Sequence, residues 1–178
     1  MEREKIPSSV LATVCSLVLI LSIALPLFND PGTLSNLDGS VGKMDHGSLW
    51  KSLDPISCMM YSIGDYTCHQ MESRSLIINK NQLFLCIREY FLIIGVDLGA
   101  LITVIIWPLI KRINSTILLI LLFFTLLTII EWYVEHTMDT NMPIIRALSS
   151  IISGFAGAFI IAKIIQLEYW LLKRDYRN

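Results

Sequence analysis

Four long apolar stretches interrupt the chain, and each is long enough to cross a bilayer. A helix needs roughly 20 mostly apolar residues to span a hydrocarbon core about 30 Å thick. The first stretch runs over about 10–28 and ends in the turn residues Asn29-Asp30-Pro31-Gly32. The second covers about 83–110 and stops at Lys111-Arg112. The third covers about 116–134 and includes the unbroken run Leu118-Leu119-Ile120-Leu121-Leu122-Phe123-Phe124. The fourth covers about 143–167, opening on Pro143, whose missing N–H costs nothing in a first helical turn.

A helix on the surface of a water-soluble protein carries a polar face at period 3.6, and the first and third stretches have none. The pattern therefore predicts an all-α membrane protein: one polytopic domain over 1–178, with four transmembrane helices and a long loop, 29–82, between the first two. A cleaved signal peptide is the competing reading of the first stretch. Its apolar run of about 19 residues exceeds the usual 7–15-residue core of such a peptide, which favours a retained helix. Composition agrees: 54% of residues are hydrophobic, 16% are charged, and mean hydropathy is +0.61. A net charge of −1 offers no basic surface for nucleic acid. The expected partner is the lipid bilayer.

Lysine and arginine in short loops mark the cytoplasmic side. Lys111 and Arg112 lie between the second and third stretches, Arg3 and Lys5 precede the first, and Lys173, Arg174 and Arg177 follow the fourth. The connection from Glu135 to Met142 has neither residue. This distribution predicts a cell-membrane protein with both termini in the cytoplasm and the 29–82 loop outside.

Within that loop, Gly32 to Gly47 reads as irregular. Asp54-Pro55 has the form of an N-cap followed by proline at the first helical position, and Gly64 is placed to end the helix. Ile56, Met59, Met60 and Ile63 between them are apolar at helical spacing. The expectation is a short amphipathic helix lying on the membrane or roofing the bundle.

The candidate chemistry follows. Cys68-His69-Gln70 is succeeded by Arg74-Ser75, a polar turn at Asn79-Lys80-Asn81-Gln82, and Cys86-Ile87-Arg88-Glu89. A reversal at the turn brings Cys86 back toward Cys68. Three states are open to the pair: a disulfide, suited to an oxidising compartment; a metal site using Cys68, His69, Cys86 and Glu89, for which zinc is the natural ion; or reduced packing residues. Adjacent residues of an extended chain point to opposite faces, so Cys68 and His69 reach one ion only through a turn.

The Cys-His-Gln, Arg-Ser and Cys-x-Arg elements resemble the signature of the domain-of-unknown-function-2085 family of small membrane proteins, approximately C-H-Q, R-S and C-x-R-C-x-G. Asn141, Arg146 and Gly154 resemble its later N…R…G stretch. The resemblance covers roughly 57–160 and implies a polytopic membrane protein with metal-binding potential and no established biochemical role. The chain departs from the pattern at Glu89, where the family has its second cysteine, and at Phe91, where it has glycine.

Asp97 and Glu131 fall inside apolar stretches, where an ionised group costs about 2.5–3.5 kcal/mol on insertion scales and signals a partner or a pathway. Arg88, Asp97, Glu131 and Arg146 are the expected polar cluster, with Arg146 as the counter-charge. Gly95 and Gly99, and the small residues Gly154, Ala156, Gly157 and Ala158, predict close contact between the second and fourth helices or self-association. No phosphate-binding loop, zinc-protease or serine-hydrolase motif is present. His46 and His136 read as isolated loop residues. The functional readings are a scaffold or complex subunit with a pinned outer loop, a metal-binding or redox enzyme at the cysteines, and a small-solute or proton carrier using Asp97.

Overall fold

A computed structural model describes residues 5–138 and 140–175, with side chains through Leu171. Arg3 and Arg177, which enter the charge argument, lie outside the described residues, as do the side chains of Lys173 and Arg174. The chain is mostly helical, in the order α1 (Ile6–Phe28), α2 (Gly47–Trp50), α3 (Pro55–Thr67), β1 (Ser75–Ile78), β2 (Asn81–Cys86), α4 (Ile87–Ile105), α5 (Trp107–Ile110), α6 (Ser115–Met138) and α7 (Pro143–Asp175). It divides into two compact units, Met1–Leu17 with Phe91–Asn178, and Val18–Tyr90.

Among the described residues three helices, α1, α6 and α7, are long and apolar enough to cross a membrane. The second expected stretch is not one helix. Its first residues, Leu83 to Cys86, belong to strand β2, and a continuous apolar run is also what a strand buried on both faces looks like. Its far end breaks at Ile106, because Pro108 lacks an N–H and its ring crowds the preceding turn; α5 restarts beyond it. The helix that remains, α4, carries Arg88, Glu89 and Asp97 among 19 residues.

In the larger unit, large apolar side chains face outward and small or polar ones face inward. On α6, Leu119, Ile120, Leu122, Phe123, Ile129 and Ile130 are exposed, while Glu131 and Glu135 are buried. On α7, Ile144, Ile145, Leu148 and Ile164 are exposed, while Ser149, Ser150, Ser153, Ala156, Ala158 and Ala162 are buried. Such an arrangement is unfavourable in water and favourable in lipid, where close packing and buried hydrogen bonds hold helices together. Thr128 Oγ1 donates to Ser153 Oγ at 2.7 Å, and Ser153 Oγ to the Phe124 carbonyl at 2.9 Å, joining α6 to α7. The expected glycine contact joins α4 to α7. A Cβ on Gly95 would collide with the Ile151 carbonyl oxygen, one on Gly154 with that of Leu92, and one on Gly99 would lie 2.7 Å from the Ala158 Cβ.

The smaller unit is built on strand β2. Asn79 and Lys80 both adopt positive φ, turning β1 back onto β2 in an antiparallel hairpin that pairs Ser75 with Cys86. Asn81 and Gln82, expected in the turn, instead begin β2 and are buried. The Asn81 side chain accepts from the Gly32 and Leu34 N–H groups at 2.9 and 3.0 Å and donates to the Pro26 carbonyl at 2.9 Å. Gln82 accepts from the Leu37 N–H at 2.8 Å and donates to the Gln70 carbonyl at 2.7 Å. These two amides fix the irregular segment after α1. Beside them Tyr61 stacks on Trp50, with ring centroids 5.3 Å apart, and meets Phe84 edge-to-face at 5.8 Å.

Helix α3 starts as expected: Asp54 caps it by accepting from the Ile56 and Ser57 N–H groups at 3.0 and 3.1 Å. It continues past Gly64 to Thr67. Gly64 does not end the helix; it lets β2 approach, since a Cβ there would strike the Phe84 carbonyl oxygen. The inward face comprises Ser57, Met60, Tyr61, Gly64 and Asp65, leaving Ile56, Met59, Ile63 and Tyr66 outward.

Candidate metal centre

Three elements of the smaller unit converge on one point. Cys68 follows α3, its N–H bonded to the Gly64 carbonyl at 2.9 Å. Cys86 ends β2, and Glu89 lies in the first turn of α4. Their ligand atoms, two Sγ and a carboxylate oxygen, all lie within 4.8 Å of one another. All four cysteines of the chain are free thiols in this structure.

The sulfurs are not equivalent. The Cys86 thiol donates to Cys68, which holds Cys68 below the ordinary thiol range. The backbone N–H groups of Gln70 and Cys86 act in the same direction, while burial and Glu89 oppose it. The same thiol bond, burial and Glu89 push Cys86 above its ordinary range. Cys68 is thus the sulfur built to carry negative charge.

Glu89 stands where a capping-box glutamate stands. Its carboxylate reaches back to the Cys86 N–H at 3.4 Å, across the first turn of the helix. A side chain at this position of α4 is aimed at the residue preceding the helix, here a cysteine.

His69 is not part of this group. Cys68 is buried and His69 is exposed, lining a different cleft with Asp38, Asp45 and His46, as adjacent residues of an extended backbone require. Cys58 is a half-buried thiol on α3, and Cys15 is a buried thiol on α1.

A family model described as "Predicted membrane protein (DUF2085)" matches residues 68–160, more than half of the chain. The chain belongs to this family. The match opens at Cys68 and takes in Cys86, Glu89, Asn141, Arg146 and Gly154, so both the sulfur cluster and the α4–α7 glycine contact lie inside the family region. No curated protein and no solved structure matches the chain.

The family region also holds the expected polar cluster, in altered form. Arg146 on α7 pairs with Glu135 at 2.6 Å, and its Nε lies 3.8 Å from Glu131. Arg146 also donates to Asn141 Oδ1 at 3.1 Å. Glu135, at the end of α6 where a carboxylate reads as a loop residue, is the principal partner that sequence reasoning missed. Asp97 pairs elsewhere: Ser16 Oγ of α1 lies 3.1 Å from both of its oxygens. Arg88 belongs to the smaller unit, where its charge acts on Glu89. Lys163 reaches carbonyl oxygens rather than an open interface, donating to Ile110 and Lys111 at 3.3 Å each and to Gln166 at 2.8 Å.

Proposed function

We propose that the protein is a membrane-anchored scaffold that holds a zinc-class divalent cation at Cys68, Cys86 and Glu89. The observation that carries this reading is the gathering of two sulfurs and a carboxylate within 4.8 Å, from three separate elements. Thiolate and carboxylate oxygen are both zinc ligands, and three protein donors leave one of four tetrahedral positions for water or a partner group. A bound ion would brace α3, the hairpin and α4 against one another. The closeness of two free thiols favours a second reading, a redox dithiol at Cys68 and Cys86. A carrier working through Asp97 has less support, because the Asp97 carboxylate already accepts the Ser16 hydroxyl.

The proposed topology has α4 as the fourth span. Its 19 residues extend about 28 Å at 1.5 Å per residue, close to the hydrocarbon thickness. With four spans both termini lie in the cytoplasm, and the lysine and arginine distribution favours the sulfur cluster on the outer side. Labelling of single cysteines in intact cells with an impermeant thiol reagent tests the sidedness.

Metal analysis of detergent-purified protein tests the function. One zinc ion per chain, lost in both Cys68→Ser and Cys86→Ser, is the expected result. Metal-free protein with a Cys68–Cys86 bridge would overturn it and leave a disulfide at this place instead.

A further inference from the structure

Helix α3 turns an uncharged apolar face outward. Ile56, Met59, Ile63 and Tyr66 recur at helical spacing along one stripe, and each is between 49% and 58% exposed. Asp65 is the only charged residue among the thirteen of this helix, and it is buried. A helix that borders water carries charged and polar residues on its free face, so this stripe is built for an apolar neighbour.

The opposite face fixes the rotation of the helix. Asp65 Oδ2 accepts from Trp50 Nε1 at 2.8 Å and from the His46 backbone N–H at 2.9 Å, and its Oδ1 lies 3.4 Å from His46 Nδ1. The Tyr61 hydroxyl donates to the Gln82 carbonyl at 2.6 Å. Rolling the stripe inward would break these bonds and strand buried polar groups, which costs more than a typical hydrogen bond contributes. The apolar stripe therefore stays outward.

The end of α1 identifies what lies against it. Asn29, the residue after α1, donates through Nδ2 to Ser57 Oγ in the first turn of α3 at 3.0 Å. Helix α1 is long and apolar enough to cross a membrane, and its last turns expose Ile23, Leu27 and Phe28. The stripe on α3 thus begins beside the place where the lipid-facing surface of α1 stops. A short helix at that level, apolar and uncharged on its free face and carrying a tyrosine at its far end, suits the boundary between acyl chains and headgroups.

We propose that α3 rests its stripe, Ile56, Met59, Ile63 and Tyr66, on the bilayer surface at the Phe28 end of α1, with phospholipid as the occupant. Cys68 follows α3 directly, so this contact holds the sulfur centre at the membrane surface. The contact stands whether or not an ion is bound there.

Photocrosslinking of the full-length protein in phosphatidylcholine nanodiscs tests it. The photoreactive residue p-benzoylphenylalanine is placed singly at Met59, at Ile63 or at Asp38, whose side chain is 90% exposed beside His46 on the Asp65 side of α3. After irradiation, intact-mass spectrometry should show a shift of one phospholipid for the Met59 and Ile63 proteins and none for the Asp38 protein. Two positions on the stripe keep the test decisive if one variant fails to fold. No phospholipid adduct on the stripe, crosslinks there to a second copy of the chain, or equal adducts at Asp38 would overturn the proposal.

Discussion

The Glu89 carboxylate accepts the backbone N–H of Cys86 at 3.4 Å, so the first turn of α4 closes onto the cysteine that precedes it. Glu89 is thus a helix cap and, in the proposed centre, also the third donor, and the two roles separate experimentally. Glu89→Gln keeps an oxygen that can accept the N–H but removes the charge that zinc ligation uses. Zinc affinity should fall by about tenfold or more with little change in melting temperature, as read by chelator competition and a thermal scan. Glu89→Cys, which supplies a third thiolate at this position, should tighten binding.

The asymmetry of the sulfurs gives a pH prediction for metal-free protein. Cys68, held below its ordinary value, should ionise first, and Cys86 should remain a thiol well into the alkaline range. Cys68 stabilises the fold above the ordinary thiol range, about pH 8.5, and loses that contribution as pH falls through its lowered value. Cys86 has the opposite sign, stabilising below about pH 8.5 and losing its contribution toward high pH. Thiolate absorbance in a Cys15→Ser/Cys58→Ser background should show two separated steps, the lower one absent from Cys68→Ser.

Arg146 and Glu135 are both nearly fully buried, at 1% and 4% side-chain exposure. Removing one partner strands the other, at a cost of about 3–5 kcal/mol. Arg146→Met alone should therefore destabilise the α6–α7 pair strongly, and adding Glu135→Gln should recover much of the loss. Thermal unfolding in detergent across the double-mutant cycle measures this directly.

Glycines on the helix faces should differ sharply. Gly95→Ala places a methyl group against the Ile151 carbonyl and should cost about 1–3 kcal/mol through overpacking. Gly157→Ala meets nothing closer than Thr125 Cγ2 at 3.8 Å and should be neutral. Equal stability of the two variants would argue against the α4–α7 contact.

The sequence was most legible where chemistry is local. The apolar runs of α1, α6 and α7, the Asp54-Pro55 start of α3 and the reversal at Asn79-Lys80 are all written in neighbouring residues. So is the approach of Cys86 to Cys68. What was hidden depends on partners distant in the chain. Leu83 to Cys86 read as the start of a span because a strand covered on both faces shows no alternation. Ile56, Met59 and Ile63 announced a helix but not its inward side, which carries Ser57 and Asp65 because their hydrogen-bond partners lie there. The pairing of Asp97 with Ser16, and of His46 with Asp65, has no spacing signature at all.

Zinc-edge X-ray absorption of the purified protein tests the central claim most directly, read with the Cys68→Ser variant as control. Two sulfur neighbours at about 2.3 Å, with oxygen or nitrogen at about 2.0–2.2 Å, are predicted for the sulfur centre, and one sulfur should vanish in the variant. A bound ion with no sulfur neighbours, or a spectrum unchanged by the substitution, would contradict it.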